Sequence, residues 1–513
     1  MLKRRFLGAI LLLTVLGVPA DTGAGSVDWF EAGRAAVEAA ARLRPDRGEA
    51  KNVILFLGDG MSLATVAAAR ILAGQRRGEP GEENLLSFEN LPYTALVKTY
   101  NTDLQVGDSA GTMTAIVTGE KTRVGMLSVS QEVLPGDIST LPARNLKSIL
   151  EIAEENGLST GVVTTTRLTH ATPAACYAHS PDRNWESDAN LPIEIHAAGF
   201  PDIARQLIEF PFGDGLEVAM GGGRYHFLPD TVADPEEPDR TGGRADGRDL
   251  TEEWLRSTGS AYIWNQAGFD AVDPAATRHL LGLFEIAEME YEHDRRHDRS
   301  GEPSLSQMTA KAIDILARNR KGFFLMVEGG RIDHAHHASN AYRALTETIE
   351  FAKAVQVAID RVDRKKTLIL VTADHSMAFS MSGYPARGNP ILGKVRSIDP
   401  AGNPMVGFSL DLRGLPYTTL NYTNGPGYSG KDQEGSKGRR DLTGVDTTAP
   451  DFLQAAAFPL IAVAHSGEDV PVYAAGPQAY LVHGVQEQNY LFHVMVSALG
   501  FGGTGSRGHT TGP

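Results

Sequence analysis

Cysteine is nearly missing from this sequence. Cys176 is the single one among 513 residues, so no intrachain disulfide can form and stability must come from packing and bound ligands. It stands among small residues in Ala174-Ala175-Cys176-Tyr177 and reads as a packing residue rather than a reactive thiol. Positive charge is also scarce. Lys and Arg number 48 against 63 Asp and Glu, a formal net charge of -15. That balance argues against non-specific nucleic-acid binding. It says little against a small anion, because bound metal can reverse the local sign. Long apolar runs are lacking beyond the start of the chain. There, Lys3, Arg4 and Arg5 precede an apolar stretch at 6–18, and Val18-Pro19-Ala20 offers small residues for cleavage. Residues 1–20 are therefore expected to be a signal peptide and the chain to be exported, to a periplasm or the extracellular space. The polar segment 502–513 lacks the apolar tail of a lipid-anchor signal, so no stable membrane anchor is expected.

What is present has the profile of a soluble globular protein: 42% hydrophobic and 22% charged residues. Residues 29–43 read as an amphipathic helix with Trp29, Phe30, Ala36 and Val37 as apolar contacts. Short apolar runs at 53–57, 161–164, 218–220, 323–327, 368–371 and 470–473 suit strands buried on both faces. Between them lie helical patterns, such as Leu345, Ile349, Ala352, Val355, Ile359 and Val362. Strands alternating with helices predict an α/β fold with a large central, mostly parallel sheet flanked by helices. Residues 229–248 and 388–444, rich in Gly, Pro and polar side chains, read as surface insertions.

Ligands of such sheets bind beyond the carboxyl ends of the strands. Three strand-like runs lead into a carboxylate there: Asp59 in Gly58-Asp59-Gly60, Glu328 in Glu328-Gly329-Gly330, and Asp374 in Asp374-His375. Packed together they would repel one another, and bound cations would relieve that. Arg331-Ile332-Asp333-His334-Ala335-His336-His337 adds an aspartate and three histidines. Asp333 and His337 share a helix face at i, i+4, a spacing suited to one divalent ion. His375 and His465 are further candidates. Mixed His and Asp ligation suits zinc, and oxygen-only ligation suits magnesium. His334 and His336 are expected to orient ligands or touch phosphate. Ser109, in Gly107-Asp108-Ser109-Ala110-Gly111-Thr112 at an expected helix start, is the candidate nucleophile, favoured by the helix dipole and free N–H groups. Arg183 is the candidate phosphate clamp.

Taken together, Phe56-Leu57-Gly58-Asp59-Gly60-Met61, Asp108-Ser109-Ala110, Thr164-Thr165-Thr166-Arg167, Arg183-Asn184-Trp185, the stretch 327–337 and His483-Gly484-Val485-Gln486-Glu487-Gln488 resemble the alkaline phosphatase family, and most nearly its animal-type branch. The resemblance runs over about 29–499. It implies a single catalytic domain over 21–513, with insertions at about 229–305 and about 388–444. The implied activity is hydrolysis of phosphate monoesters through a phosphoserine at two zinc ions and one magnesium ion. By the same resemblance, Asp374, His375 and Asp59 surround the zinc that activates Ser109. Asp333, His337 and His465 hold the other zinc. Glu328 and Thr172 hold magnesium with Asp59, and His170 stands near it. Arg183 binds phosphate, and Asp108 lies beside it. A calcium ion is implied at Glu236, the backbone of Phe284, Glu285 and Glu302, although the branch usually has aspartate at the last position. A homodimer is implied as well, with Tyr384 reaching toward the partner. Two departures stand out: the branch's disulfide cysteines are absent, and Met377 replaces a histidine. A related phosphodiesterase or sulfatase would share the metal core, but the sulfatase Cys/Ser-x-Pro-x-Arg signature is missing at Ser109.

Overall fold

A computed structural model describes residues 28–256, 259–430 and 439–501. The expected signal peptide, the polar tail at 502–513 and a stretch of the 388–444 insertion lie outside the described residues. The chain divides into two compact units, the first ending at Pro45 and the second beginning at Asp46. The first contains the helix Trp29–Arg42, capped by Asp28, whose carboxylate accepts from the Glu31 N–H at 3.1 Å. None of its residues is buried, and Trp29 and Phe30 are 63% and 79% exposed.

The second unit is built on a ten-stranded sheet. Its strands are β1 (Asn52–Gly58), β2 (Tyr93–Lys98), β3 (Ser159–Arg167), β4 (Val218–Gly222), β5 (Ser260–Ile263), β6 (His279–Leu283), β7 (Phe323–Gly329), β8 (Thr367–Thr372), β14 (Val470–Ala475) and β15 (Gly484–Glu487). The intervening pieces β9 (Ser376–Met377), β10 (Phe379–Met381), β11 (Leu420–Asn424), β12 (Ala456–Phe458) and β13 (His465–Ser466) form two small sheets. The order across the large sheet is β15-β2-β14-β8-β1-β7-β3-β4-β6-β5. Nine strands run one way. Only β14 runs antiparallel, between β8 and β2. The six apolar runs read from the sequence are β1, β3, β4, β7, β8 and β14. In β1, β7 and β8, Val53 to Leu57, Phe323 to Val327 and Leu368 to Val371 are all buried, as both faces of a helix-covered parallel sheet require. The helix Ala341–Arg361 lies beside this centre: Phe351 meets Phe56 edge-on, at 5.9 Å between ring centres. Cys176 is fully buried, and burial pushes its thiol up, away from reactivity.

The amino end of the sheet, opposite the carboxyl ends of the central strands, carries two buried acids. Glu217, just before β4, accepts from Thr160 N–H and Ser159 Oγ, each at 2.7 Å. Glu154 accepts from Thr160 Oγ1 at 2.6 Å. Burial, then their mutual repulsion, raises Glu154 from 4.5 to about 8, and burial raises Glu217 to about 7. The folded state therefore binds more protons than the unfolded chain, and stability falls as pH rises from 4.5 toward 8. Glu154→Gln keeps the acceptor without the charge. It is expected to stabilise the protein by roughly 1–2 kcal/mol at pH 9 and negligibly at pH 4, measured as thermal unfolding at the two pH values.

Candidate active site

The three central strands β8, β1 and β7 are neighbours, and their carboxyl ends deliver Asp374, Asp59 and Glu328 to one place. Register sets this directly, because Leu57 of β1 pairs with both Glu328 and Thr372. All three carboxylates are fully buried. Among the described residues no Lys or Arg pairs with any of them. Asp59 has neither oxygen bonded, and Glu328 Oε1 and Asp374 Oδ2 also lack partners. Glu328 Oε2 accepts from Thr164 and, at 3.3 Å, from Thr166 on the next strand, β3. Burial, then the neighbouring carboxylates, pushes Asp59 well above the usual range. Burial does the same to Asp374, with Asp333 adding to it. Uncompensated buried charge of this kind is costly, which makes the group fit for cations.

Histidines and a fourth carboxylate close the cluster. The helix Arg331–His337 begins two residues after β7 and places His337 Nε2 3.0 Å from Asp333 Oδ2. His465 on β13 is held by pairing with Met377 and by its Nδ1, 2.9 Å from the Gly107 carbonyl. Its Nε2 lies 3.3 Å from His337 Nε2 and 3.7 Å from Asp333 Oδ1. His375 Nε2 lies 3.3 Å from both Asp59 Oδ1 and Asp374 Oδ2. One ligand atom from each residue comes within 4.8 Å of the others in three sets: Asp333, His337 and His465; Asp59, Asp333 and His375; and Asp59, His170 and Glu328. Burial opposes ionisation of Asp333, but His337, His465 and His375 outweigh it and hold that carboxyl well below its ordinary value. Burial drives His375 low, with His465 adding to it. Thr172 is buried beside Glu328, and its Oγ1 has no partner.

Ser109 occupies the first turn of the helix Ser109–Thr118. Asp108 is the cap, accepting from Gly111 N–H at 3.1 Å. Ser109 Oγ lies 3.1 Å from His375 Nε2, so hydroxyl and carboxylate cluster share one cleft. Asp108 also accepts from Arg183 Nη1 and from Gly125 N–H, each at 3.1 Å. Burial opposes its ionisation, but Arg183 and the Gly111 N–H prevail and lower it. Arg183 Nη2 donates to His170 Nε2 at 3.0 Å, so Arg183 is held at the cluster's edge by two partners.

A hydroxyl at a helix start, an adjacent guanidinium and a clustered set of carboxylates and imidazoles form a site for an anionic ester. The alkaline phosphatase family profile matches residues 50–501. The chain belongs to the alkaline phosphatase family. It is 45% identical over 460 residues to the alkaline phosphatase of Gadus morhua, covering 88% of this chain and 92% of that protein. To the tissue-nonspecific isozyme of Gallus gallus it is 44% identical over 479 residues, covering 92% of this chain and 88% of that one. Among solved structures, Thermus thermophilus alkaline phosphatase superposes with a TM-score of 0.62 at 26% identity, covering 91% of this chain and 95% of the other. The alkaline phosphatase of the Antarctic bacterium TAB5 superposes at 0.59 and 23% identity, with 88% and 99% covered, a likeness of fold. The protein is a phosphatase of this family, and family members use metal ions.

Some residues lie elsewhere. His336 is buried away from the cluster, with Thr65 Oγ1 at 3.0 Å and Tyr422 Oη at 2.8 Å, a bridge between α/β core and β11. His334 sits against His170, edge to face, at 5.6 Å between ring centres. In the 229–305 insertion, Glu236 and Glu285 converge with Asp298, within 4.8 Å. Asp298 escaped sequence reading because it lies in an irregular charged run. Glu302 is buried nearby, with Oε1 accepting from Glu290 N–H at 3.0 Å and Oε2 unpartnered. Phe284, just past β6, is buried. Burial, then Glu236, raises Glu285 to about 8. A further acidic trio, Asp188, Asp202 and Asp246, already has its cation: Arg244 is wholly buried between them, 2.9 Å from Asp202 and 2.5 Å from Asp246.

Proposed function

We propose that the enzyme hydrolyses phosphate monoesters to an alcohol and phosphate through a phosphoserine at Ser109, with two zinc ions and one magnesium ion in the cluster. The observation that carries this is the concentration of buried, unpartnered ligand atoms near Ser109: both Asp59 oxygens, Thr172 Oγ1, Glu328 Oε1, Asp333 Oδ1 and Asp374 Oδ2. Asp333, His337 and His465 form a His-rich set suited to zinc, and Asp59, Asp374 and His375 a second. Asp59, Thr172 and Glu328 offer oxygen alone, as magnesium prefers, with His170 alongside. A variant of the TAB5 enzyme carries magnesium. The metal ions would supply Lewis acidity, making the serine and water better nucleophiles and the departing oxygen a better leaving group.

Ser109 Oγ forms the bond to phosphorus as the bond to the alcohol oxygen breaks, and the proton lost by the serine is balanced by the one the departing alcohol takes up. Water then attacks the phosphoserine, and Ser109 leaves with a proton. Arg183, aimed by Asp108, pairs with two phosphate oxygens, and the first N–H groups of the Ser109–Thr118 helix favour the same negative charge. A dianionic monoester gains more from this clamp than a diester does. Hydrolysis of p-nitrophenyl phosphate is therefore expected to exceed that of its bis-ester by orders of magnitude in kcat/KM. A preference for the bis-ester would replace this reading with a phosphodiesterase.

The insertion at 229–305 is proposed to hold calcium through Glu236, Glu285, the Phe284 carbonyl and Glu302, with Asp298 as an additional oxygen donor. Glu302 Oε2 and Asp298 Oδ2 are buried without partners. A calcium-selective chelator is expected to lower the melting temperature before zinc is lost, and Glu285→Gln to abolish that sensitivity with zinc content unchanged. Among the described residues no helix is long and apolar enough to cross a membrane. Residues 1–20 support export as a cleaved signal peptide, with the remainder forming one catalytic domain carrying the 229–305 and 388–444 insertions. Exposed Trp29, Phe30 and Tyr384, the last at 86%, support a homodimer, which light scattering at micromolar concentration tests.

A further inference from the structure

We propose that Gln488 and Asn489 are positioning residues: their side-chain amides tie the Asp374-His375 peptide and the helix that carries Ser109 to one short segment, and so hold Ser109 in register with the cluster. The inference rests on the reading of Ser109 as nucleophile and of Asp374 and His375 as zinc ligands.

β8 ends at Thr372 and β9 begins at Ser376, so residues 373–375 form a connector outside the strands. Ala373 and Asp374 are fully buried, and a buried carbonyl left without a partner is costly. Gln488, which directly follows β15 and is itself fully buried, supplies the donor. Its Nε2 lies 2.7 Å from the Asp374 carbonyl oxygen and 3.5 Å from that of Ala373. The Asp374 side chain is fixed from other directions, its Oδ1 accepting from His375 N–H at 2.9 Å and from Gly60 N–H at 3.2 Å. Its Oδ2 keeps no partner. Gln488 therefore anchors the main chain of a residue whose carboxylate is the reacting end.

Asn489 reaches the other half. Its Nδ2 donates to the Gly119 carbonyl at 2.9 Å, and Gly119 is the left-handed residue that ends the helix Ser109–Thr118. That helix end is pressed against the same stretch of chain: a Cβ on Gly119 would come within 2.6 Å of the Phe492 ring. Ser109 stands at the opposite end of the helix, with Oγ 3.1 Å from His375 Nε2. A hydrogen-bonded helix transmits position along its axis, so an anchor at its last turn bears on where the hydroxyl lies. Glu487, the preceding residue, pairs with Lys98 on β2 and, at 3.0 Å, with Lys121 just beyond the helix. Three consecutive side chains thus brace the carrier of Ser109 against the carrier of Asp374 and His375.

The test uses the full-length protein, with zinc as the probe and a phosphate-labelled monoester as substrate. Gln488→Met and Asn489→Leu keep the bulk of each side chain and lose its donor. Gln486→Ala is the control, since the Gln486 amide donates to the His483 carbonyl on its own segment, at 3.1 Å. Zinc affinity is measured by competition with a chelator. The rate at which phosphate appears on Ser109 is measured by rapid acid quench of the metal-loaded protein, well below its melting temperature. Gln488→Met is expected to weaken zinc and to slow phosphorylation of Ser109, each by about tenfold. Asn489→Leu is expected to slow phosphorylation by about tenfold with zinc affinity unchanged, because its bond reaches the helix of the serine and not the Asp374 peptide. Gln486→Ala is expected to match the wild type in both. A segment that merely stabilises the fold would lower the melting temperature of the two variants and leave zinc affinity and phosphorylation rate at wild-type values, and that result would overturn the proposal. Losses of the same size in Gln486→Ala would overturn it too. If Gln488→Met does not fold, Asn489→Leu decides: phosphorylation at the wild-type rate overturns the proposal. Failure of the zinc and phosphoserine reading would appear instead in the wild type, as turnover with no zinc bound or with no phosphate on Ser109.

Discussion

Ser109→Ala is expected to reduce turnover of a phosphate monoester by at least about a thousandfold, with zinc and magnesium content and melting temperature essentially unchanged. The expectation comes from geometry. Ser109 is 3% exposed, lies in the first turn of its helix and places Oγ 3.1 Å from His375 Nε2. The hydroxyl is not needed as a cap, because Asp108 fills that role, so removing it should cost little stability. A small residual rate is expected, since the cleft would still bind the ester and water. Steady-state kinetics with metal analysis of the same preparation checks both halves. Loss of metal together with activity would make Ser109 a ligand rather than the nucleophile.

Stripping the metals is the second large effect. Asp59, Glu328 and Asp374 are wholly buried with no cationic side chain paired to them among the described residues, and burial, with repulsion from neighbouring carboxylates that include Asp333, raises all three. In the stripped protein these groups hold protons that the unfolded chain releases. Folded-state values raised above the unfolded ones mean that stability is lost as pH climbs from the ordinary carboxylate range upward. Bound cations reverse this by favouring the ionised forms, and their binding energy adds directly to folding stability. Chelation is therefore expected to abolish activity and to lower the melting temperature by about 10 °C at neutral pH. The gap between loaded and stripped protein should widen from pH 5 to pH 8. Melting curves across that range, with zinc and magnesium restored as a control, measure it. A gap that narrows with pH would mean the carboxylates are not the ligands.

Much of this site was legible in the sequence because strand-end chemistry is local. Asp59, Glu328 and Asp374 each follow an apolar run, and the i, i+4 spacing of Asp333 and His337 survives as a helix turn. Edge strands were less visible. In β2 (Tyr93–Lys98) and β15 (Gly484–Glu487) burial alternates or is partial, and Lys98 and Glu487 pair with each other across the edge. No residue pattern distinguishes β14, the one antiparallel strand, from its parallel neighbours. Asp298 was missed because its partners come from distant segments, and only the folded insertion brings it to Glu236 and Glu285. The helix Trp29–Arg42 forms where its pattern predicts. An amphipathic pattern fixes which face is apolar and leaves open what covers it.

The most direct test of the central claim is to trap the intermediate. The metal-loaded enzyme is mixed with a phosphate-labelled monoester, quenched in acid during turnover, digested and mapped by mass spectrometry. The expected result is phosphate on the peptide containing Asp108-Ser109-Ala110, at Ser109, and none there in Ser109→Ala. Full turnover with no covalent phosphate under any quench, or label on another residue, would contradict it.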